Sequence, residues 1–203
     1  MDPDVVVVSG GPWDQHCYVV VSGRDRVVID PGPPADDVLA AATANDGRIV
    51  GVVATHGHFD HICSAREVCA YAGVPLLVSS DDARIMRSAN LHSFVTGWGK
   101  PVPTPDAWDD LDLLGDTLSI GGVTLEVLRT PGHTPGSRCL RLGDAIFTGD
   151  TVLARGKIDS GLPGADPAAL VESLSRLAGL PPATRMLPGH GAECSLGEAL
   201  ARV

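Results

Sequence analysis

Seven consecutive residues, Thr55-His56-Gly57-His58-Phe59-Asp60-His61, carry three imidazoles and a carboxylate directly behind the apolar run Ile49-Val50-Gly51-Val52-Val53-Ala54. Such a set of donors at the end of a buried strand reads as a metal site, and it obliges the fold to bring further donors to that strand end. Neutral imidazole offers a nitrogen lone pair near physiological pH, and carboxylate adds the negative charge a divalent cation needs. His56 and His58 are two residues apart, so an extended chain turns both rings to the same side. Asp60 and His61 begin the next turn and point to a neighbouring position, with room for a second ion.

Three later fragments each supply one more candidate: Thr130-Pro131-Gly132-His133-Thr134-Pro135-Gly136, Thr148-Gly149-Asp150-Thr151 and Pro188-Gly189-His190-Gly191. Each follows an apolar, strand-like stretch. Glycine and proline let the backbone turn sharply there, so that one side chain projects into a common cleft. Of the seven histidines, only His16 and His92 fall outside these motifs.

The order THGHFDH, TPGHTPGS, GDT, PGHG, preceded by Val27-Val28-Ile29-Asp30-Pro31-Gly32, resembles the metallo-β-lactamase superfamily, and within it the small glyoxalase II-like hydrolases. The resemblance runs from about Val5 to the last helix. It implies an α/β fold, a four-layer αβ/βα sandwich with the metals at one edge between the sheets. It also implies a ligand set: His56, His58 and His133 on a first cation, Asp60, His61 and His190 on a second, and Asp150 bridging both. Two divalent ions follow, Zn first, with Fe or Mn as the other choices because histidine and aspartate suit all three. A Cys or Ser replacing one ligand marks the true β-lactamases, and every position here carries the hydrolase-type ligand.

Composition fits a compact enzyme built as one domain over residues 1–203, since single domains commonly reach ~200 residues. Apolar residues make up 44% of the chain, yet no apolar run approaches the ~18 residues of a membrane span. The start, Met1-Asp2-Pro3-Asp4, is acidic and is followed by four valines, unlike the basic start and longer apolar core of a secretory signal. The expected location is the cytoplasm. A net charge of -10 argues against nucleic acid as a partner, because phosphate backbones are held largely by Lys and Arg. The five cysteines, Cys17, Cys63, Cys69, Cys139 and Cys194, form no CxxC pair and read as reduced, packed thiols. Cys63, two residues past His61, either borders the cleft or packs a helix.

Strands are expected at residues 5–8, 17–22, 26–30, 49–54, 76–78, 117–120, 123–128, 139–142, 145–148 and 185–187, and helices at 35–45, 60–72, from Ser79 or Ser80 to about Ala89, 166–177 and 196–202. Residues 90–110, with Phe94, Trp98 and Trp108 among prolines and glycines, read as an irregular stretch. It either closes over the metals as a lid or packs its tryptophans on the sandwich.

Two close cations hold a hydroxide at neutral pH, because coordination lowers the pKa of water from ~15.7 to about 7. Asp60 is the expected catalytic residue, accepting a hydrogen bond from that hydroxide and then its proton. A thiolate leaves without prior protonation whereas an amide nitrogen does not, which favours small-molecule thioesters or activated esters. The resemblance points to S-2-hydroxyacyl thiols such as lactoylglutathione. It also departs from full-length glyoxalase II, since only a short segment follows His190 and the C-terminal helical domain is missing; Lys157 lies roughly where those enzymes place a thiol-binding lysine. Two alternatives share the motifs: an Fe(II)-dependent persulfide dioxygenase, which needs one iron on the His56, His58, His133 and Asp150 positions, and a lactonase.

Overall fold

The computed structural model describes residues 4–105, 107–156 and 164–203. Its first sheet contains β1 (Asp4–Gly10), β2 (Gln15–Ser22), β3 (Asp25–Ile29), β4 (Arg48–Val53), β5 (Leu76–Val78) and β6 (Trp108–Asp110), in that spatial order. β1 to β3 run antiparallel through tight turns, and β3 to β6 run parallel. The change has a local cause. Parallel neighbours need a crossover connection, and α1 (Ala35–Thr43) supplies it between β3 and β4, while α2 (Phe59–Ile62) and α3 (Ala65–Ala72) supply it between β4 and β5.

The second sheet is ordered β12-β11-β10-β9-β8-β7, from β7 (Thr117–Ile120), β8 (Val123–Arg129), β9 (Arg138–Leu142), β10 (Ala145–Gly149), β11 (Arg185–Pro188) and β12 (Cys194–Ser195). Only β10 and β11 pair in parallel, across the crossover that contains α6 (Pro167–Leu177). Asp166 caps α6, accepting from the N–H groups of Ala168 and Ala169, with Pro167 at the first helical position where its missing N–H costs nothing.

Alternation along the strands creates the layers. Tyr18, Val20, Val27, Ile29 and Val53 face Leu125, Val127, Leu140, Phe147 and Leu187 across the space between the sheets. The intervening Cys17, Val19, Val28 and Val52 turn outward onto Val38 and Ala42 of α1 and onto Ala65 and Val68 of α3. On the other side Cys139, Ile146 and Met186 meet Leu177 of α6 and Leu196 and Ala199 of α7 (Leu196–Leu200). The result is the expected four-layer αβ/βα sandwich. Strands buried on both faces read as unbroken apolar runs, which explains the valine-rich stretches in β2, β3 and β4. Tyr18 and Phe147 pack across the sheets with ring centroids 5.1 Å apart, and the Tyr18 hydroxyl donates to the Pro188 carbonyl at 2.6 Å, tying the two sheets at the edge where the ligand-bearing loops emerge.

Several expected elements are corrected. The helix expected over residues 60–72 is broken after Ile62, because Ser64 donates its backbone N–H to the Pro31 carbonyl and its hydroxyl to the Pro33 carbonyl, pulling the chain off the helical path. Of the two readings of Cys63 the packing one holds: it is buried, donates to the Gly32 carbonyl and packs beside Phe59, Ala89 and Val102. The helix after Ser79 is interrupted as well, with a 3-10 turn, α4 (Ala83–Arg87) and then α5 (Ala89–Val95). Residues 90–110 begin in α5 and end in β6, where Trp108 pairs with Leu76, so the irregular stretch is confined to the residues between Val95 and Trp108. α1 stops two residues early, before Asn45 at φ 54, and α7 ends at Leu200. Lys157 lies outside the described residues. Among those residues no helix is long and apolar enough to cross a membrane.

Candidate metal centre

All seven predicted side chains meet at one edge of the sandwich, each delivered by the C-terminal end of a strand. β4 leads into His56, His58, Asp60 and His61, β8 into His133, β10 into Asp150, and β11 into His190. Three overlapping donor groups result: His56, His58 and His133; His56, His61 and Asp150; and Asp60, His61 and His190, with the donor atoms of each group within 4.8 Å of one another. Asp150 is the hub, its Oδ1 3.5 Å from His61 Nε2 and its Oδ2 3.6 Å from both His133 Nε2 and His190 Nε2. Asp60 Oδ2 lies 3.1 Å from His190 Nε2 and 3.5 Å from His61 Nε2.

This donor set fits divalent cations, on evidence from the side chains themselves. His56 Nε2, His61 Nε2, His133 Nδ1 and Asp150 Oδ1 are buried without a hydrogen-bond partner, and a buried polar atom without a partner costs about 1–3 kcal/mol. Protonation follows the same logic. Burial drives the pKa of His56 far down and that of His58 to about 3, and it also lowers His133, which favours the neutral rings; His58 Nδ1 and His133 Nε2 meet at 2.9 Å. For His61 burial acts in the same direction, but Asp60, Asp150 and Asp30 outweigh it and raise its pKa; for Asp150 burial is outweighed by His61, His133 and His190, which hold it well below the usual carboxylate range. In such a cluster a proton on His61 occupies the place a cation takes, so metal binding displaces it.

Packing leaves room for donors and little else. A methyl group on Gly189 would sit 2.3 Å from Asp150 Oδ1, and Gly149, at φ 48, would place one 2.3 Å from Thr55 Oγ1. The glycines flanking the motifs are thus required for the close approach of strand ends as well as for the turns.

Two supporting carboxylates hold the ligand loops: Asp30, which lies in the 27–32 motif but has no role assigned to it by the sequence, and Asp82, which nothing in the sequence singles out. Asp30 closes β3 in the left-handed region at φ 54, where it accepts from the Thr55 N–H at 2.6 Å, the Thr55 hydroxyl at 2.8 Å and His61 Nδ1 at 3.0 Å. With Nδ1–H committed to Asp30, His61 turns Nε2 towards Asp60 and Asp150. Thr55 does the same for His56, whose Nδ1 lies 3.1 Å from its hydroxyl. Partners of this kind typically contribute 10–100-fold to metal affinity. Asp30→Asn places an amide N–H or a weaker acceptor against His61 and is expected to weaken the second cation by about that factor. A competition titration of zinc against a chromophoric chelator measures it, and unchanged affinity would remove Asp30 from this role. The other carboxylate, Asp82, accepts from Gly57 N–H at 2.8 Å, Gly136 N–H at 2.7 Å and the Thr134 hydroxyl at 2.7 Å, joining the His56–His58 loop to the His133 loop.

His16, outside the motifs, braces the last loop: its backbone N–H donates to the Gly189 carbonyl and its ring Nε2 lies 2.7 Å from the Gly191 carbonyl. His92 belongs to α5 and enters none of the donor groups.

Several known proteins match most of the chain. Relatives include an uncharacterized protein of Aquifex aeolicus, 33% identical over 96% of this chain and 92% of its own length. A probable polyketide biosynthesis zinc-dependent hydrolase, BaeB of Bacillus velezensis, is 28% identical over 88% of this chain and 73% of its length. The hydroxyacylglutathione hydrolase of Anaeromyxobacter dehalogenans is 34% identical over 87% of this chain, a match that spans 61% of that enzyme. Among solved structures, the BLEG-1 B3 metallo-beta-lactamase superposes with a TM-score of 0.88 at 26% identity over 98% of this chain and 97% of its own. TTHA1623 in a di-iron-bound form superposes with a TM-score of 0.84 at 34% identity over 95% and 96%. The family model of the metallo-beta-lactamase superfamily matches residues 10–190, a span that holds both sheets' ligand-bearing strand ends and all seven converging side chains, and the chain belongs to that superfamily.

Proposed function

We propose that this chain is a dinuclear metal-dependent hydrolase of small-molecule thioesters, with S-2-hydroxyacyl thiols such as lactoylglutathione as the expected class. The observation that carries it is the convergence of seven donors into three overlapping groups that share His56 and His61. His56, His58 and His133 would hold one cation, Asp60, His61 and His190 the other, and Asp150 would lie between them. When bound, the cations supply Lewis acidity and bring the pKa of coordinated water to about 7.

The chain's own residues do the rest. Asp60 keeps one oxygen on His190 and His61 and can accept a hydrogen bond from the attacking water at the same carboxylate, then take its proton as the carbonyl carbon becomes tetrahedral. Burial of His56, His58, Asp60, His61 and His133 excludes bulk water and strengthens every charge interaction in the centre. One C–O bond forms, the C–S bond breaks, and the electron pair departs with sulfur. A thiolate, whose acid has a pKa of ~8.5, needs no proton to leave, which suits a centre whose titratable side chains are already turned to cations. The hydroxyacylglutathione hydrolase and the zinc-dependent hydrolase among the relatives support the same reading.

Purification without added metal, followed by metal quantification and parallel rates on lactoylglutathione, glutathione persulfide and a homoserine lactone, tests it. Two zinc ions per chain and thioester turnover above the other rates are expected. One iron per chain with oxygen uptake on the persulfide would replace the proposal; so would faster lactone opening. Two irons in place of zinc, as in the di-iron-bound form of TTHA1623, would change the metal and not the reaction.

A further inference from the structure

Three aromatic side chains cluster at Phe59, the residue that precedes Asp60. Phe59 itself is only 3% exposed. Trp13 meets it edge-on, with centroids 5.2 Å apart and planes at 68°, and Trp98 lies against it at 5.7 Å and 33°. Trp98 joins the small apolar cluster of Phe59, Cys63, Ala89 and Val102, which gives it a packing role. Trp13 belongs to none of the apolar clusters among the described residues, and it is 55% exposed.

Trp13 is nevertheless held firmly. Its carbonyl lies 3.3 Å from His190 Nδ1, and both Trp13 and Asp14 sit at φ 56, in the left-handed region that non-glycine residues enter only at a cost. A strained turn therefore anchors to a candidate ligand and presents an indole to solvent next to that ligand. At the other end of the row Lys100 Nζ lies 5.6 Å from the Trp98 ring centroid, over its aromatic face. Folding requires none of this exposure.

We propose that Trp13 and Trp98, backed by Phe59, form the acyl-binding wall of the centre, and that the preferred acyl group is flat and aromatic. The proposal rests on the thioesterase reading of the same centre. The occupant is argued from two features: the wall is continuous with Asp60 through Phe59 and with His190 through the Trp13 carbonyl, and an aromatic guest gains from edge and face contacts with indole what an aliphatic one of equal area does not. Such contacts are worth roughly two- to twelvefold in kcat/KM each.

The test uses the metal-loaded chain and two glutathione thioesters that differ only in the group on the 2-hydroxy carbon, methyl in one and phenyl in the other. The expected ratio of kcat/KM, phenyl over methyl, is at least about fivefold and expressed in KM. Trp13→Ala and Trp98→Ala should each lower that ratio, and Trp98→Phe should retain most of it, which separates loss of an aromatic surface from loss of packing. Isothermal titration of the corresponding non-hydrolysable thioethers is run alongside. Hydrolysis of both esters at a ratio near one, or a ratio unmoved by both alanine variants, overturns the wall and leaves the thioesterase reading standing. Binding of the phenyl thioether that weakens in Trp13→Ala, without turnover of either ester, sustains the wall and overturns the thioesterase reading.

Discussion

Replacing Asp150 by alanine is expected to lower thioester hydrolysis about a thousandfold and to leave the purified chain with at most one cation. Asp150 is the carboxylate within 3.6 Å of histidines from three separate strand ends, His61, His133 and His190. Without it, the two cation positions lose their shared negative charge, and imidazoles that stay neutral through burial cannot offset the repulsion of two divalent ions. A Lewis-acid cation contributes several kcal/mol to the transition state, and at 1.36 kcal/mol per factor of ten that is about three orders of magnitude. Metal content by mass spectrometry of the native protein, read beside kcat/KM for lactoylglutathione, checks both halves. A variant that keeps two cations and a tenth or more of the activity would show that Asp150 does not bridge them.

The centre was legible because its donors are clustered in the sequence. Four of the seven, His56, His58, Asp60 and His61, fall within six positions, and the others sit in glycine-flanked turns after apolar strands. The strand pattern was legible for a related reason: double-sided burial leaves unbroken valine runs that only a sheet interior explains. What escaped notice depends on distant contacts. The break at Ser64 is made by carbonyls of Pro31 and Pro33, and Asp30 earns its place from Thr55 and His61, all some two to three dozen positions away. Trp13 gave no signal at all, since its conformation and its contact with His190 arise only once β11 lies beside the turn that precedes β2. Local pattern shows which side chains are donors; it does not show which backbone groups hold them still.

Asp82 illustrates that second class, and its removal should have the largest effect on stability. The carboxylate is fully buried and accepts from three donors, the N–H groups of Gly57 and Gly136 and the Thr134 hydroxyl. Burial pushes its pKa up, and hydrogen bonds from Thr134, Gly57 and Gly136, with the nearby Arg138 guanidinium, pull it back. Asp82→Ala leaves those donors facing an apolar gap, at about 1–3 kcal/mol for each one that water cannot reach. Allowing for partial relaxation, the loss is about 3–5 kcal/mol, of the size seen when one partner of a buried charged network is removed. For a chain of this length each kcal/mol moves Tm by roughly 2–4 °C, so a fall of roughly 10 °C is expected. The measurement belongs on the metal-free protein, because bound cations stabilise the folded state by mass action and would mask the change. Gly57 separates His56 from His58, and Thr134 follows His133, so the same variant should also loosen the first cation when metal is restored. A Tm within 2 °C of the parent in the metal-free state would mean that the two ligand loops hold their positions without Asp82.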